Sequence, residues 1–269
     1  MNVSKSKISI IMGIYNCAKT LPEAIDSILA QTYSNWELIM CDDGSSDDTY
    51  AIAEKYKITY PNKIKLIKNE KNLGLNATLN NCLKYVDGNY IARMDGDDIS
   101  LPNRFEKEVD FLDNHLEYDI ISAQMIYFDD KGDFRQSNGG GEPSKYQFAK
   151  STPFCHAPCM VRKRAYDEVQ GYTVSDKRLR VEDWDLWIRM YEKGYKGYNL
   201  DIPLYKMRDD RNAYARRKYK YRVNEARVSI YATKHLGLGV KSYIWCLRPL
   251  IVGLLPKPIY MYLHKRKTV

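Results

Sequence analysis

The feature that most constrains this chain is the regular exchange of strand and helix patterns over its first 112 residues. Ile8–Ile14 is an apolar, β-branched run of strand length, the pattern of a strand covered on both faces of a parallel sheet. Thr20-Leu-Pro-Glu23 reads as a capping box with Pro22 in the first helical turn, and Leu21, Ile25, Ile28 and Leu29 follow at helical spacing. Glu37–Cys41 gives a second strand. Ser45-Ser46-Asp47-Asp48 starts a second helix, with acids where the helix dipole favours them. Ile64–Ile67 is a third strand, and Leu79, Cys82, Leu83 and Val86 mark a third helix stopped at Asp87-Gly88. Tyr90–Met94 and Leu101–Leu112 complete the series as strand and helix. Such repetition with short connections implies a mostly parallel sheet flanked by helices, a Rossmann-like α/β fold. Sheets of this kind bind ligands at the carboxyl ends of their strands. That rule singles out Gly13–Asn16, Asp42-Asp43-Gly44 and Asp95-Gly-Asp-Asp98.

Beyond residue 113 the pattern loosens. Asp119–Phe128 reads as a strand, Asp129–Gly132 as a turn, and Ser137-Asn-Gly-Gly-Gly-Glu-Pro143 as a mobile loop. Trp184, Trp187, Ile188 and Tyr191 share one helical face, predicting a helix over 183–193. The 269 residues suffice for a buried core without disulfide or zinc staples, and no uncharged apolar stretch is long enough to span a bilayer. The N-terminus reads as a first strand rather than a leader. Six cysteines, mostly inside apolar segments, suit reduced thiols of the cytosol. Charge is uneven: residues 206–269 hold 16 Lys/Arg against three acids, a net +13, so the remainder carries −5. A basic tail on an acidic body implies an anionic partner for the tail alone.

Asp95-Gly96-Asp97-Asp98 is the strongest chemical signal. Its acids repel one another unless a cation joins them, and Mg²⁺ favours such oxygen ligands together with substrate phosphates. Helix capping by Asp97 or Asp98 is the plainer explanation, but the position at a strand's carboxyl end favours ligand binding. Asp42-Asp43 in front of Gly44-Ser45 exceeds what a turn and cap require, and an Asp there can accept from the N–H edge of a base. Glu182-Asp183 reads equally as dipole-complementing acids at a helix start and as a general base for a hydroxyl.

Ile10-Ile-Met-Gly-Ile-Tyr-Asn16, Cys41-Asp-Asp-Gly-Ser-Ser-Asp47, Asn72-Leu-Gly-Leu-Asn-Ala77, Tyr90–Pro102 with its Asp-Gly-Asp-Asp, and Val181-Glu-Asp-Trp-Asp-Leu-Trp-Ile-Arg189 come in the order of the family 2 glycosyltransferases. The chain resembles that family over residues 7–205. The resemblance implies the GT-A fold, an inverting reaction, a nucleotide-diphosphate sugar as donor (a UDP-sugar) and Mg²⁺ or Mn²⁺ as cofactor. It implies Asp43 as the acid recognising the base, with Tyr15, Gly13 and Gly74 lining the nucleotide pocket. Asp95 resembles the acid near ribose and metal, Asp97 the metal-binding acid of the DxD motif, and Asp183 the catalytic base. Glu182, Trp184 and His156 are expected on the acceptor side. Two positions depart from the pattern: Gly13 stands where many relatives have Pro or Thr, and Leu79 where many have Arg. The second removes a cationic contact, so donor preference does not transfer.

Residues 1–205 are therefore expected to form the catalytic domain, with 1–112 the nucleotide half and 113–205 the acceptor half, and 206–269 a helical membrane-associating tail. Tyr243–Pro256 is apolar, with aromatic and basic flanks, as in an interfacial anchor on an anionic membrane surface. A helix packed on the catalytic domain or a homodimer surface is the competing reading. The implied setting is the cytoplasmic face of the cell membrane, with a lipid-linked or polysaccharide acceptor. Two rival functions stand beside this one. Nucleic-acid binding through basic residues 208–222 finds no support in residues 1–205, so no nucleic-acid partner is expected. An inactive sugar-nucleotide scaffold is opposed by the intact Asp43, Asp95, Asp97 and Asp183. Cys155-His156-Ala-Pro-Cys159 lacks the second ligand pair of a zinc site.

Overall fold

Apolar alternation along the first strands builds two cores at once. In the computed structural model, which describes residues 6–209 and 218–255, strand β1 (Ile8–Ile14) sends Ile8, Ile10, Met12 and Ile14 into one core and Ile11 into the other. Strand β2 (Trp36–Asp42) divides Leu38 and Met40 from Ile39 and Cys41 in the same way. This is the period of two that a strand covered on both faces requires. Strands β3 (Ile64–Lys68) and β4 (Tyr90–Arg93) join them in the parallel order β3-β2-β1-β4. The chain moves outward from β1 to β3 and then returns to β4 on the other side of β1. That reversal opens a crevice at the carboxyl ends of β1 and β4.

The helices between these strands are α1 (Leu21–Leu29), α2 (Thr49–Thr59), α3 (Leu75–Leu83) and α4 (Arg104–Asn114). Two details differ from the sequence reading. No capping box forms at Thr20; its hydroxyl donates instead to the carbonyls of Cys17 and Gly96, at 3.2 and 2.9 Å, tying α1 to the acidic loop. Helix α4 begins three residues later than expected, with Asn103 at the position before it but making no side-chain cap, because the short strand β5 (Ile99–Ser100) and Leu101 bond to a distant strand. Neither Asp97 nor Asp98 caps it.

The second half extends the same sheet with mixed polarity. Strand β6 (Ile120–Asp129) turns through a hairpin into β7 (Gly132–Gln136), and β8 (Met160–Arg162) inserts antiparallel between β4 and β6. Strand β9 (Gly197–Arg208) runs parallel to β6 and antiparallel to β5. It therefore continues across the expected domain boundary at 205. The loop expected to be mobile is pinned at both ends: Ser137 exchanges two hydrogen bonds with Met125, and Gly141 exchanges two with Asn199. Gly139 and Gly141 have φ of +93° and +96°, which only glycine adopts without cost.

Helices α5 (Lys163–Val169) and α6 (Glu182–Glu192) cover one face, and α7 (Tyr219–His235) places Val228 and Ala232 in the core that holds Trp184 and Trp187. Helix α8 (Tyr243–Leu254) packs on α7 through Cys246 and Pro249. No helix among the described residues is long and apolar enough to cross a membrane. Residues 210–217 of the basic segment and 256–269, including Lys257 and the 264–267 cluster, lie outside the described residues.

Candidate active site

The donor side is built by strand ends. Asp43 follows β2, and its carboxylate accepts three N–H groups from the stretch that leads into α3. Oδ1 accepts from Asn69 Nδ2 and the Leu73 amide, both at 2.8 Å, and Oδ2 accepts from the Gly74 amide at 2.9 Å. Gly74 has φ +86°, so glycine is needed for its amide to turn toward Asp43. Asp43 thus fixes the shape of the pocket wall while Oδ2 keeps a lone pair for a further N–H. Tyr15 is 49% exposed beside this wall. Gly13 lies under α3, where a Cβ would come within 3.2 Å of Thr78 Cγ2 and 3.3 Å of Leu75 Cδ1. The Pro or Thr common in relatives would crowd that contact.

The acidic loop follows β4, and each of its acids has a different setting. Asp95 Oδ1 is 2.7 Å from Arg93 Nη2. Gly96 is pressed against Cys17, whose sulfur would lie 2.9 Å from an added Cβ. Asp98 is buried and accepts the Arg208 amide at 2.8 Å, so it anchors the loop to β9. Its carboxyl is pushed well above the usual range by burial and by the charges of Asp95 and Asp97. Asp97 turns outward, and its carboxyl is raised by desolvation and by Asp95. Arg208 closes the loop from outside, donating to the Asp97 carbonyl and pairing with Glu23 and Asp130 at 2.9 and 3.1 Å. Asp95 and Asp97 supply the hard oxygen donors a divalent cation needs. Among the described residues no three His, Cys, Asp or Glu side chains converge on one point.

The third group of candidate residues lies in the first turn of α6, within electrostatic reach of Arg93. Asp183 is half-buried, and burial followed by the charge of Glu182 pushes its carboxyl up to about 6. The Trp184 amide, Arg93 and the Thr152 hydroxyl act in the opposite direction. A carboxylate with this value is ionised at neutral pH yet basic enough to take a proton in a transition state. The turn is held by Asp185, 2% exposed, which accepts from Thr173 and Arg189 at 2.7 and 2.9 Å and pairs with Arg178. Arg189 continues to the carbonyls of Val169 and Gly171, both at 2.7 Å.

The expectation of Trp184 on the acceptor side is corrected. It is 5% exposed, and its indole N–H donates to the Phe148 carbonyl, because its side of the helix faces the second core. His156 lies edge-on to Trp187 with Nε2 2.9 Å from the Tyr172 hydroxyl. Burial and the nearby Arg93 charge hold the ring neutral. Glu182 stands beside Asp183 at the helix start.

Sequence reasoning missed Arg93, Asp185, Arg208 and Asn69. The first had a signal: an arginine in a strand otherwise reading Tyr-Ile-Ala is a buried charge, which occurs only where it has a partner. Asp185 had one too, since Arg189 stands at i,i+4 spacing from it; Arg208 and Asn69 are recruited by contacts across the fold and had none.

Comparison with known proteins bears on the family and the fold. The model of Glycosyl transferase family 2 matches residues 9–170, and that of Glycosyl transferase family group 2 matches residues 90–264. The chain is 44% identical to the glycosyltransferase EpsE of Bacillus subtilis, over 99% of this chain and 96% of that protein. It is 28% identical to WfaP of Escherichia coli, a UDP-Glc:α-D-GlcNAc-diphosphoundecaprenol β-1,3-glucosyltransferase, over 97% and 99% of the two chains. Among solved structures, the mannosyltransferase PcManGT of Pyrobaculum calidifontis, in complex with GDP-Man and Mn²⁺, superposes with a TM-score of 0.67 at 13% identity, over 98% of this chain and 80% of that one. Strand-end pocket, acidic loop and opposed carboxylate together with these matches place the chain in glycosyltransferase family 2, with the GT-A fold.

Proposed function

We propose that this glycosyltransferase moves a hexose from a UDP-sugar, with inversion at the anomeric carbon, to a hydroxyl of a lipid-linked glycan at the inner face of the cell membrane. The observation that carries the reading is the half-buried carboxylate of Asp183, raised to about 6 on an element separate from the Asp95–Asp97 loop. Asp43, Tyr15, Gly13 and Gly74 receive the nucleoside, and Asp95 and Asp97 face the diphosphate. Mg²⁺ or Mn²⁺ bound there would neutralise charge on the departing nucleoside diphosphate. On the acceptor side, Asp183 takes the hydroxyl proton as the oxygen attacks the anomeric carbon and the bond to the diphosphate breaks. The Thr152 hydroxyl and the Trp184 amide favour its ionised form. UDP-glucose and a GlcNAc-diphospholipid are the substrates named for WfaP, and they are the first pair to test here.

Helix α8 supports the membrane assignment. Val240, just ahead of it, and Ile244, Leu247, Ile251 and Leu254 recur every three to four residues and are 84, 70, 56, 60 and 73% exposed. The stripe lies opposite Cys246 and Pro249, the residues turned toward α7. A helix of this length covers about 18 Å, too short to span but suited to lying in the interface. Lys241 and Arg248 flank the stripe, and Lys150 sits 4.5 Å above the Trp245 ring. Arg208 and Arg222, at the ends of the segment considered for nucleic acid, are committed to ion pairs with Glu23, Asp130 and Glu225.

The test is transfer from a panel of UDP- and GDP-sugars to GlcNAc-diphosphoundecaprenol in anionic vesicles, with Mn²⁺ or with chelator. Chelator-sensitive transfer from a UDP-sugar is expected, lost in Asp97→Ala. Turnover with GDP-sugars alone, or undiminished transfer by the Asp97 variant, overturns the assignment.

A further inference from the structure

Arg93 and Arg104 are the two buried cations among the described residues, and each leaves one guanidinium nitrogen without a partner; what distinguishes Arg93 is the partner it does have. It ends β4 with 6% of its surface exposed, and its Nε has no hydrogen-bond partner. Its one strong contact is the 2.7 Å ion pair with Asp95, a residue of the candidate site itself. Arg104, equally buried, shows what a structural arginine does here. It pairs with Glu108 at 3.2 Å and donates to the carbonyls of Arg93 and Cys159 at 3.0 and 3.3 Å. Arg93 makes no comparable bonds to backbone carbonyls, and an incompletely bonded guanidinium is costly to bury. It lies within electrostatic reach of Asp97 and Glu182 as well as Asp95, and of Asp183 beyond the crevice. Its charge also acts on His156 and Tyr172.

We propose that Arg93 is the positioning residue that joins the two walls of the site: its guanidinium fixes the Asp95 carboxylate on the donor side, and its charge faces the Glu182–Asp183 pair on the acceptor side. This rests on the reading of Asp183 as the base. Holding Oδ1 of Asp95 from beneath leaves the other oxygen to face the diphosphate. The fixed positive charge also offsets the mutual repulsion within the two pairs of acids, Asp95–Asp97 and Glu182–Asp183. Asp183 is faced by Glu182 from its own helix, by Arg93 from β4, and by Cys155 and the Thr152 hydroxyl from the segment before β8. Arg93 is the only cation among these groups.

The experiment follows the Asp183 carboxyl directly, by ¹³C NMR of aspartate-labelled full-length protein, with the resonance assigned from Asp183→Asn. It is paired with calorimetric binding of UDP in the presence of Mn²⁺. In Arg93→Met the Asp183 midpoint is expected to rise by about one pH unit, the usual size of a nearby-charge effect, and UDP affinity to fall by about tenfold. Arg93→Lys restores charge without the fork, so the midpoint returns while UDP affinity stays low. An unchanged midpoint in folded Arg93→Met overturns the proposal, as does wild-type UDP binding by Arg93→Lys. If the methionine variant does not fold, Arg93→Gln serves for the same midpoint. Failure of the base assignment itself looks different: Asp183→Asn would then retain transfer whatever Arg93 does.

Discussion

The two walls of the crevice are built in opposite ways. On the donor wall, Asp43 is held by three neutral N–H donors, from Asn69, Leu73 and Gly74. On the acceptor wall, the helix that carries Asp183 is seated through Asp185, which takes one hydroxyl, from Thr173, and two guanidinium groups, from Arg178 and Arg189. Several neutral donors tolerate loss of one contact, because the parallel strands keep their register without it. Ion pairs concentrate the load on a few buried charges. The donor wall is therefore the robust one and the acceptor wall the tuned one.

The sharpest break is Asp183→Asn. Transfer is expected to fall by 10²-fold or more, the usual scale of general-base catalysis, with UDP binding unchanged. Parallel loss of UDP binding would move Asp183 to the donor wall and erase the distinction. In the wild type, kcat/KM should decline as pH falls through about 6, where the carboxylate protonates. The same substitution should raise stability. The folded-state value of about 6 exceeds the unfolded 3.8, so the native state binds the extra proton and stability drops as pH rises between those values. Asp183→Asn removes that cost, so its Tm gain is full above pH 6 and vanishes below about pH 4.

Next in size is Asp185→Ala. It strands Arg178 and Arg189, both less than one-fifth exposed, beside an empty site. Breaking a buried pair of this kind costs about 3–5 kcal/mol, readable in urea unfolding. Asp43→Ala, by contrast, should weaken UDP binding by an order of magnitude or more with a smaller loss of stability, about 1–3 kcal/mol. Equal destabilisation by the two variants would show that the walls are built alike. The smallest effect on the fold is expected for Ile244, Leu247 and Ile251 changed together to Ser. All three are exposed, so each change should stay within about 0.5 kcal/mol, while binding to anionic vesicles falls at low salt. Unaltered vesicle binding with loss of a dimer in sedimentation would assign the stripe to self-association instead.

The contrast also explains what could be read in advance. Ile8–Ile14 was legible to the residue, because a strand buried on both faces must be apolar throughout. The three strand ends, Gly13–Asn16, Asp42–Gly44 and Asp95–Asp98, were singled out by the sheet rule alone. Trp184 was misplaced because helical spacing shows which residues share a face, not which face meets the core. The capping box at Thr20 did not form because Gly96, seventy-six residues away, offers its carbonyl to the same hydroxyl. The body also extends past 205, since β9 ends only at Arg208 and α7 buries Val228 and Ala232 in the catalytic core.

By itself the sequence determined the parallel nucleotide half, the order of its motifs and the identity of the acids, since all three are written in local periodicity and in residue type. Tertiary structure alone decided how those acids divide the work. Asp98 is buried under the Arg208 amide while Asp97 faces outward, one residue away. Asp183 becomes a base because folding withdraws it from water beside Glu182, and Arg93 acquires significance only by lying between the walls. The reason is physical: a carboxylate's charge state depends on solvent and neighbours, which are set by the whole fold and not by adjacent residues.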